Sequence, residues 1–298
     1  MLTTQCAICA KRQKFVLQYK STLKKNKINS STFSARRTPD RVHYRFVKCM
    51  NCGLIFSNPI LPSDEIIKYY EHSDFDYAIE SGYLKKTYGS YLTKAIGSRQ
   101  REKINLLDIG CGNGFFLEEA KKQGISKVVG VEPGRQTVDK APKWLKKFII
   151  QDIFKTGQFR KNTFDIICCF HTLDHIIDPN KFLKGVYSVL KEGGRAYFIV
   201  HDTDGLSVKI FGEKSPIFDI EHIYLFNDDS LKAIFKKNKF KIIETFQVKN
   251  YYPISYWIRM SPLPRVVKLA ILKLIDRLPI LNFNLALKAG NIGIIAEK

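Results

Sequence analysis

Apolar and polar positions change period along the chain in a way that separates strands from helices. Leu106-Leu107-Asp108-Ile109, Lys127-Val128-Val129-Gly130-Val131, Phe148-Ile149-Ile150, Phe164-Asp165-Ile166-Ile167-Cys168-Cys169-Phe170 and Tyr197-Phe198-Ile199-Val200 are short, nearly unbroken apolar runs. Runs of this kind predict strands buried on both faces. Strand and helix alternate from 104 to 200, which predicts a doubly wound α/β sheet with parallel crossovers. The ligand crevice of such a sheet lies at the carboxyl ends of its strands. Ahead of it, Ile66, Ile67 and Tyr70, then Tyr83, Leu84, Tyr88, Tyr91 and Leu92, fall at helical spacing and predict two helices. Core packing is the favoured role for these tyrosines over a lid on the crevice. Behind it, residues 228–237 predict a helix, 240–248 a strand and 291–296 the closing strand. The expected organisation is a module at 1–62, helices at 63–100 and a sheet domain at 101–298 with a helical insertion at about 250–288.

The join between the first strand and its helix carries the most chemistry. Gly110, Gly112 and Gly114 alternate in Ile109-Gly110-Cys111-Gly112-Asn113-Gly114-Phe115. Glycines so spaced allow positive φ and leave no Cβ between backbone and ligand. Amides of such a turn, with the helix N-terminus beyond it, form a cradle for a nucleoside-bearing cofactor. Glu132 ends the next apolar run, 132 − 108 = 24 residues after Asp108, where a carboxylate for both ribose hydroxyls is expected. The glycines alone are also compatible with a plain tight turn.

With Asp108 before it and Glu132 after it, the D-x-G-x-G-x-G pattern resembles motifs I and II of class I S-adenosylmethionine-dependent methyltransferases, and not the G-x-G-x-x-G of dinucleotide binders. Further landmarks follow in that family's order. Phe148–Ile153 resembles the third strand and its terminal acid, and Phe164–Phe170 the fourth strand. His171-Thr172-Leu173-Asp174-His175-Ile176-Ile177-Asp178-Pro179 is similar to an H-x-L-x-H-x-x-D-P stretch of one subgroup, and Leu190-Lys191-Glu192-Gly193-Gly194 to its L-K-x-G-G turn. The resemblance implies a Rossmann-like sheet that binds S-adenosylmethionine. In it Asp108, Gly110, Gly112 and Gly114 meet the methionine and ribose, Glu132 holds the ribose, Asp152 with Ile153 frames the adenine, and His171 lines the pocket.

Cys6-Ala7-Ile8-Cys9 and Cys49-Met50-Asn51-Cys52-Gly53 form a doubled C-x2-C set. Two such knuckles supply four soft thiolates, the donor set of a closed, structural Zn²⁺ site. Unrelated buried cysteines or a disulfide pair are the rival explanation. Residues 20–41, rich in Ser, Lys, Asn and Arg, are expected to be a solvated excursion between the knuckles. This zinc-ribbon module, running on into Gly53-Leu54-Ile55-Phe56-Ser57-Asn58-Pro59, resembles the leader of a methyltransferase group that includes deoxysugar C-methyltransferases. Those enzymes carry a further C-terminal domain, for which this chain has too few residues. They also carry Y-x-E-H where Asp219-Ile220-Glu221-His222 stands here, so methyl transfer is the firmer expectation and sugar C-methylation the weaker.

Composition narrows the field. At 298 residues with 45% hydrophobic and 12% aromatic content, the chain can build one large or two small cores, which excludes general disorder. No apolar run approaches the roughly 20 residues of a membrane span. The first residues show no basic-then-apolar leader, and seven cysteines, mostly in short pairs, suit a reducing compartment, so a cytoplasmic location is expected. The formal charge of +21 fits attraction to nucleic acid, anionic lipid or phosphorylated compounds, or simply a lysine-rich proteome.

Methyl transfer needs a group that takes the acceptor's proton, and imidazole suits that task near neutrality. His222 is the leading candidate and His175 the second, with packing beside Asp174 and Asp178 the other reading of His175. The expected substrate is a small molecule, methylated on a hydroxyl or carbon of a sugar, glycolipid precursor or quinone-like compound. An RNA methyltransferase using the basic module as a grip is the alternative, and a non-catalytic binder on the same fold is the third. Against RNA, no N/D-P-P-Y/F box or Pro-Cys pair occurs. Pro264 and Pro279 bracket a helix whose Val267, Ala270, Ile271, Leu274 and Leu278 share a face, with Leu269 and Leu272 among basic residues. A roof over the substrate site, or a dimer contact, is the favoured role for 264–279. An anionic membrane surface at the inner face is the alternative partner.

Overall fold

The computed structural model describes residues 1–10, 14–23, 33, 40–71 and 81–298. Most of the excursion expected over 20–41 lies outside them. In chain order the strands and helices are β1 (Phe15–Tyr19), β2 (Phe46–Cys49), β3 (Ile55–Ser57), α1 (Ser63–Glu71), α2 (Ser81–Ile96), β4 (Asn105–Ile109), α3 (Phe115–Lys122), β5 (Lys127–Val131), α4 (Arg135–Asp139), α5 (Lys143–Lys146), β6 (Ile149–Ile150), β7 (Phe164–Phe170), α6 (Pro179–Val189), β8 (Leu190–His201), α7 (Leu206–Phe211), β9 (Tyr224–Leu225), α8 (Asp228–Lys237), β10 (Lys241–Gln247), β11 (Asn250–Pro253), α9 (Ile254–Met260), α10 (Arg265–Arg277), β12 (Asn284–Leu287) and β13 (Asn291–Glu297).

Seven strands form the central sheet in the order β10-β13-β8-β7-β4-β5-β6. β4 pairs in parallel with β5 on one side and β7 on the other. The chain winds outward to β6, then returns past β4 to β7, and that reversal opens the crevice at the carboxyl ends of β4 and β7. The sheet is mixed, because β13 runs antiparallel to both β8 and β10.

Alternation along each strand sends side chains to two cores. Leu107, Ile109, Ile167, Cys169 and Phe198 face α6 and α8 through Phe182, Leu183, Val186, Leu231 and Phe235. Leu106, Ile166, Cys168, Tyr197 and Ile199 face α2 and α3 through Leu92, Phe116 and Leu117. Tyr88 belongs to this second core, 1% exposed and stacked on Phe170 at 4.4 Å, as the packing reading expects. α6 starts where Asp178 accepts a bond from the Lys181 amide with Pro179 in the first turn, a favoured N-terminus.

A second, antiparallel sheet runs β1-β2-β3-β9. Its first three strands come from the N-terminal module and its last from the chain beyond β8, with Phe56 opposite Tyr224. The knuckle of Cys6 and Cys9 is also held from the sheet domain. Lys237 Nζ donates to the carbonyls of Ala7 and Ile8 (2.7 and 2.8 Å), and Asn180 Nδ2 to that of Ala7 (2.8 Å). Module and sheet domain therefore share hydrogen bonds and one apolar core, which includes Cys6, Phe56 and Tyr224.

The segment expected as a helical insertion is a β11–β12 hairpin that carries α9 and α10 at its tip. Tyr252, Tyr256 and Trp257 cluster at its base, with Trp257 Nε1 donating to the Leu285 carbonyl (3.2 Å). The apolar face expected on α10 is not the covered one. Val267, Leu274 and Leu278 of that face are 42–50% exposed, and Ile275 is buried. The roof half of the favoured reading is thus not realised within the chain: the helix turns Ile275 inward, and Lys268 Nζ donates to the Arg259 carbonyl of α9 (2.8 Å). No helix among the described residues is long and apolar enough to cross a membrane.

Candidate active site

The β4–α3 turn demands its glycines. Gly110, Gly112 and Gly114 have φ of +75°, +57° and +77°, the left-handed region that side chains strain to adopt. A Cβ on Gly110 would stand 2.2 Å from Thr172 Oγ1, and one on Gly114 2.5 Å from Leu145 Cδ2. The turn is therefore closely packed against the loop after β7 and against α5.

Glu132 organises this turn. Its Oε2 accepts from the Gly112 amide (3.0 Å) and its Oε1 from the Gly134 amide (2.9 Å). Burial raises its pKa, and these two amides offset part of the rise. Asp108 is 1% exposed, and its Oδ1 accepts no hydrogen bond. Burial, reinforced by the neighbouring Glu132 charge, holds its carboxyl well above the ordinary range. Two buried acids beneath a cradle of amides suit a cationic ligand with hydroxyl donors. At the sheet edge, Asp152 turns its carboxylate to Lys155 Nζ (2.7 and 2.9 Å) and the Ile153 amide (2.8 Å), and Lys155 lowers its pKa. Ile153 is 39% exposed.

Across the crevice, four of the six histidines surround one acid. Asp174 is fully buried, and the Nε2 atoms of His175, His201 and His222 stand 3.9, 3.9 and 4.0 Å from its oxygens. The His171 and His201 rings stack 4.5 Å apart, those of His201 and His222 lie 4.6 Å apart, and those of His222 and His175 4.9 Å. His171 follows β7 directly, with φ of +48° and its amide donating to the Ile199 carbonyl (2.8 Å). His201 ends β8.

Outer contacts aim the rings. His222 Nδ1 donates to the Ile217 carbonyl (2.7 Å), His175 Nδ1 meets Tyr70 Oη (2.7 Å) and His201 Nδ1 meets Asn291 Oδ1 (3.2 Å). The backbone of the His222 segment is clamped from both sides. Ser57 Oγ donates to the His222 carbonyl (2.8 Å) and the Ile223 amide donates to the Asp174 carbonyl (2.8 Å). Burial, with the neighbouring His222 and His171, pushes His175 well below the ordinary imidazole value and keeps it neutral. Sequence reasoning named His171, His175 and His222 but missed His201 and Tyr70. The signal for His201 was a histidine closing the fifth apolar strand; Tyr70 carried none beyond helical spacing.

The four N-terminal cysteines also converge, as free thiols whose sulfurs all lie within 4.8 Å of one another. Cys6 Sγ stands 3.4 Å from Cys52 Sγ, and Cys49 Sγ 3.9 Å from Cys9 Sγ. A tetrahedron with Zn–S bonds of about 2.3 Å has edges of about 3.8 Å, so this donor set fits a zinc ion.

Comparison with known proteins now decides the family. A family model described as a methyltransferase domain matches residues 82–245, more than half of the chain. The chain belongs to that family. Its fold and glycine turn are those of the class I S-adenosylmethionine-dependent methyltransferases. The methyltransferase is 31% identical over 100 residues to a ubiquinone biosynthesis O-methyltransferase of Coxiella burnetii, covering 32% of this chain and 42% of that one. It is 30% identical over 166 residues to an uncharacterized methyltransferase of Schizosaccharomyces pombe, covering 50% and 56%. The matched region thus spans about half the length of these relatives, or less. Among solved structures, the geranyl diphosphate C-methyltransferase of Streptomyces coelicolor superposes with a TM-score of 0.50 at 16% identity, covering 72% of this chain and 79% of that one, a likeness of fold.

The buried acid under the turn makes a prediction for the cofactor-free protein. Because the folded state raises the Asp108 pKa, its contribution to stability is present below its ordinary value of 3.8 and lost as pH climbs through the raised value. Asp108→Asn should therefore match the parent in urea midpoint at the acid end and exceed it at neutral pH. A neutral-pH midpoint at or below the parent's would mean that the folded chain compensates the charge.

Proposed function

We propose that the protein transfers a methyl group from S-adenosylmethionine to a hydroxyl of a small-molecule acceptor, a quinone-like or phenolic ring first and a sugar or glycolipid precursor second. The observation that carries this reading is the set of histidines around Asp174 at the carboxyl ends of β7 and β8, beside the glycine turn. The Coxiella relative is named for O-methylation, which supports a hydroxyl acceptor.

S-adenosylmethionine, when bound, supplies an electrophilic methyl on a sulfonium that leaves without acid assistance. The chain's task is then to bind, orient and handle one proton. Gly110, Gly112 and Gly114 let the backbone approach the methionine and ribose, with Asp108 behind them. Glu132, already oriented by two amides, accepts from the ribose hydroxyls, and Asp152 with Ile153 borders the adenine. In the metal-free chain His222 takes the acceptor's proton. The Ile217 carbonyl holds its Nδ1 proton, which leaves the Nε2 lone pair facing the cluster. His175, kept neutral by burial, is the second acceptor.

In the same reading Cys6, Cys9, Cys49 and Cys52 hold one zinc ion. A closed site of four thiolates activates no water; it fixes the knuckles. Through the β3–β9 pairing and the Ser57 bond it also fixes the segment that carries His222.

A second reading concerns α10. Arg41, Arg259, Arg265 and Lys268 line an open groove of about 780 Å³ together with Leu263, Leu269 and Leu272. Val266 (79%), Ile280 (85%) and Phe283 (57%) project nearby. Basic groups beside exposed apolar ones favour an anionic membrane surface as a peripheral partner, which suits a lipid-linked acceptor.

Four measurements test these readings. Methyl-labelled cofactor incubated with the protein and lysate fractions should label small-molecule or lipid pools, and label confined to RNA would overturn the acceptor class. In the same series Glu132→Ala should weaken S-adenosylmethionine roughly ten- to a hundredfold by calorimetry, from the loss of charge-assisted bonds worth about 1.5–3 kcal/mol.

Metal analysis of the purified chain should find zinc that Cys49→Ser loses, together with earlier proteolysis before residue 60. Zinc undiminished in that variant would remove it from the four-cysteine site.

Sedimentation with anionic vesicles should fall with salt and in Leu269→Glu/Leu272→Glu. No sedimentation with anionic vesicles would end the lipid reading.

A further inference from the structure

We propose that Asp174, His175 and His222 form a binding site for one divalent transition-metal ion, separate from the four cysteines. Their ligand atoms, one carboxylate oxygen and two imidazole nitrogens, all lie within 4.8 Å of one another. The His222 ring presents a lone pair there, since its Nδ1 proton is held by the Ile217 carbonyl, which can only accept. Facing it at 4.0 Å is an oxygen of Asp174, also an acceptor when ionised. Neither Asp174 oxygen receives a well-formed hydrogen bond, although the carboxylate is fully buried. Acceptors that face one another in a buried site repel unless a cation stands between them. The gap is too long for a shared proton and suits an ion. Donors about 2.0–2.1 Å from a tetrahedral ion stand about 3.4 Å apart, so closing onto it needs roughly half an ångström of movement.

The shell outside these ligands has the form that metal sites use. Each ligating imidazole engages its other nitrogen at 2.7 Å, His222 on the Ile217 carbonyl and His175 on the Tyr70 hydroxyl. Such contacts fix ring direction and tautomer. The set of His171, Asp174 and His201 lies alongside and shares the carboxylate, but His201 meets Asn291 at a longer 3.2 Å. Two imidazoles and one carboxylate favour zinc, iron(II), cobalt or nickel over magnesium or calcium, which prefer oxygen-only shells. Three protein ligands leave an open position for an oxygen of the acceptor. An ion there stabilises the oxyanion left when the hydroxyl proton departs to water. That role rests on the methyl-transfer reading; binding of the ion does not.

Cobalt(II) tests the site in the full chain with the four-cysteine site already filled by zinc. One further equivalent should bind, with visible absorption of nitrogen and oxygen ligation and no thiolate charge-transfer band. Asp174→Asn and His222→Gln should each weaken it at least tenfold, while calorimetric binding of S-adenosylmethionine confirms that each variant is folded. In the unaltered protein, zinc titration followed through imidazole ¹⁵N resonances should move those of His175 and His222. Imidazole resonances that stay still, or cobalt affinity unchanged in the folded Asp174→Asn, would overturn the proposal. A bound ion without methyl transfer would sink the function and leave the site; methyl transfer without an ion would do the reverse.

Discussion

Both carboxylate oxygens of Glu132 are engaged by backbone amides, Gly112 on one side and Gly134 on the other, and this bracket ties the turn after β4 to the turn after β5. Backbone carbonyls hold the rest of the turn, with the Gly110 and Cys111 amides donating to Val131 and the Gly114 amide to Cys111, and the buried Glu132 carboxylate takes the Gly112 amide that lies between them. The close fit of Gly110 to Thr172 passes the constraint across the crevice, since Thr172 belongs to the loop that carries His171, Asp174 and His175. The glycine turn and the histidine-bearing loop are thus built against one another.

The N-terminal module takes part in the same arrangement. Two residues of β9 complete its sheet, and the residue just before them is Ile223, bonded at once to Ser57 and to Asp174. Whatever fixes the knuckles therefore also limits how far His222 can move. The four-thiol cluster and the histidines of the crevice are thus linked through the paired strands β2, β3 and β9, which makes the module more than a leader.

The sheet was legible in the sequence where its strands are buried on both faces. β4, β5, β7 and the second half of β8 carry nearly unbroken apolar runs, and those runs mark them. The glycine turn was legible because positive φ demands that residue type. β9 was not, since a strand of two residues has no period and exists only because β3 offers an edge. Asp174 stood in plain view between two histidines, yet its central place depends on His201 and His222, 27 and 48 residues later, which only the sheet order brings together. The α10 helix illustrates the opposite failure. Its apolar face was legible, but which face the protein covers is decided by α9 and the hairpin beneath it.

Charge gives the last connection. Among the acids that this chain of net charge +21 buries are Asp108, Glu132 and Asp174, all near the carboxyl ends of neighbouring strands. Burial raises the pKa of each, so each is most stable as an anion when a cation arrives. A cation bound over the glycine turn would give Asp108 that relief, with Glu132 beside it. The net positive charge of the chain acts at longer range and in the opposite sense to these acids, attracting anions where the strand ends attract cations.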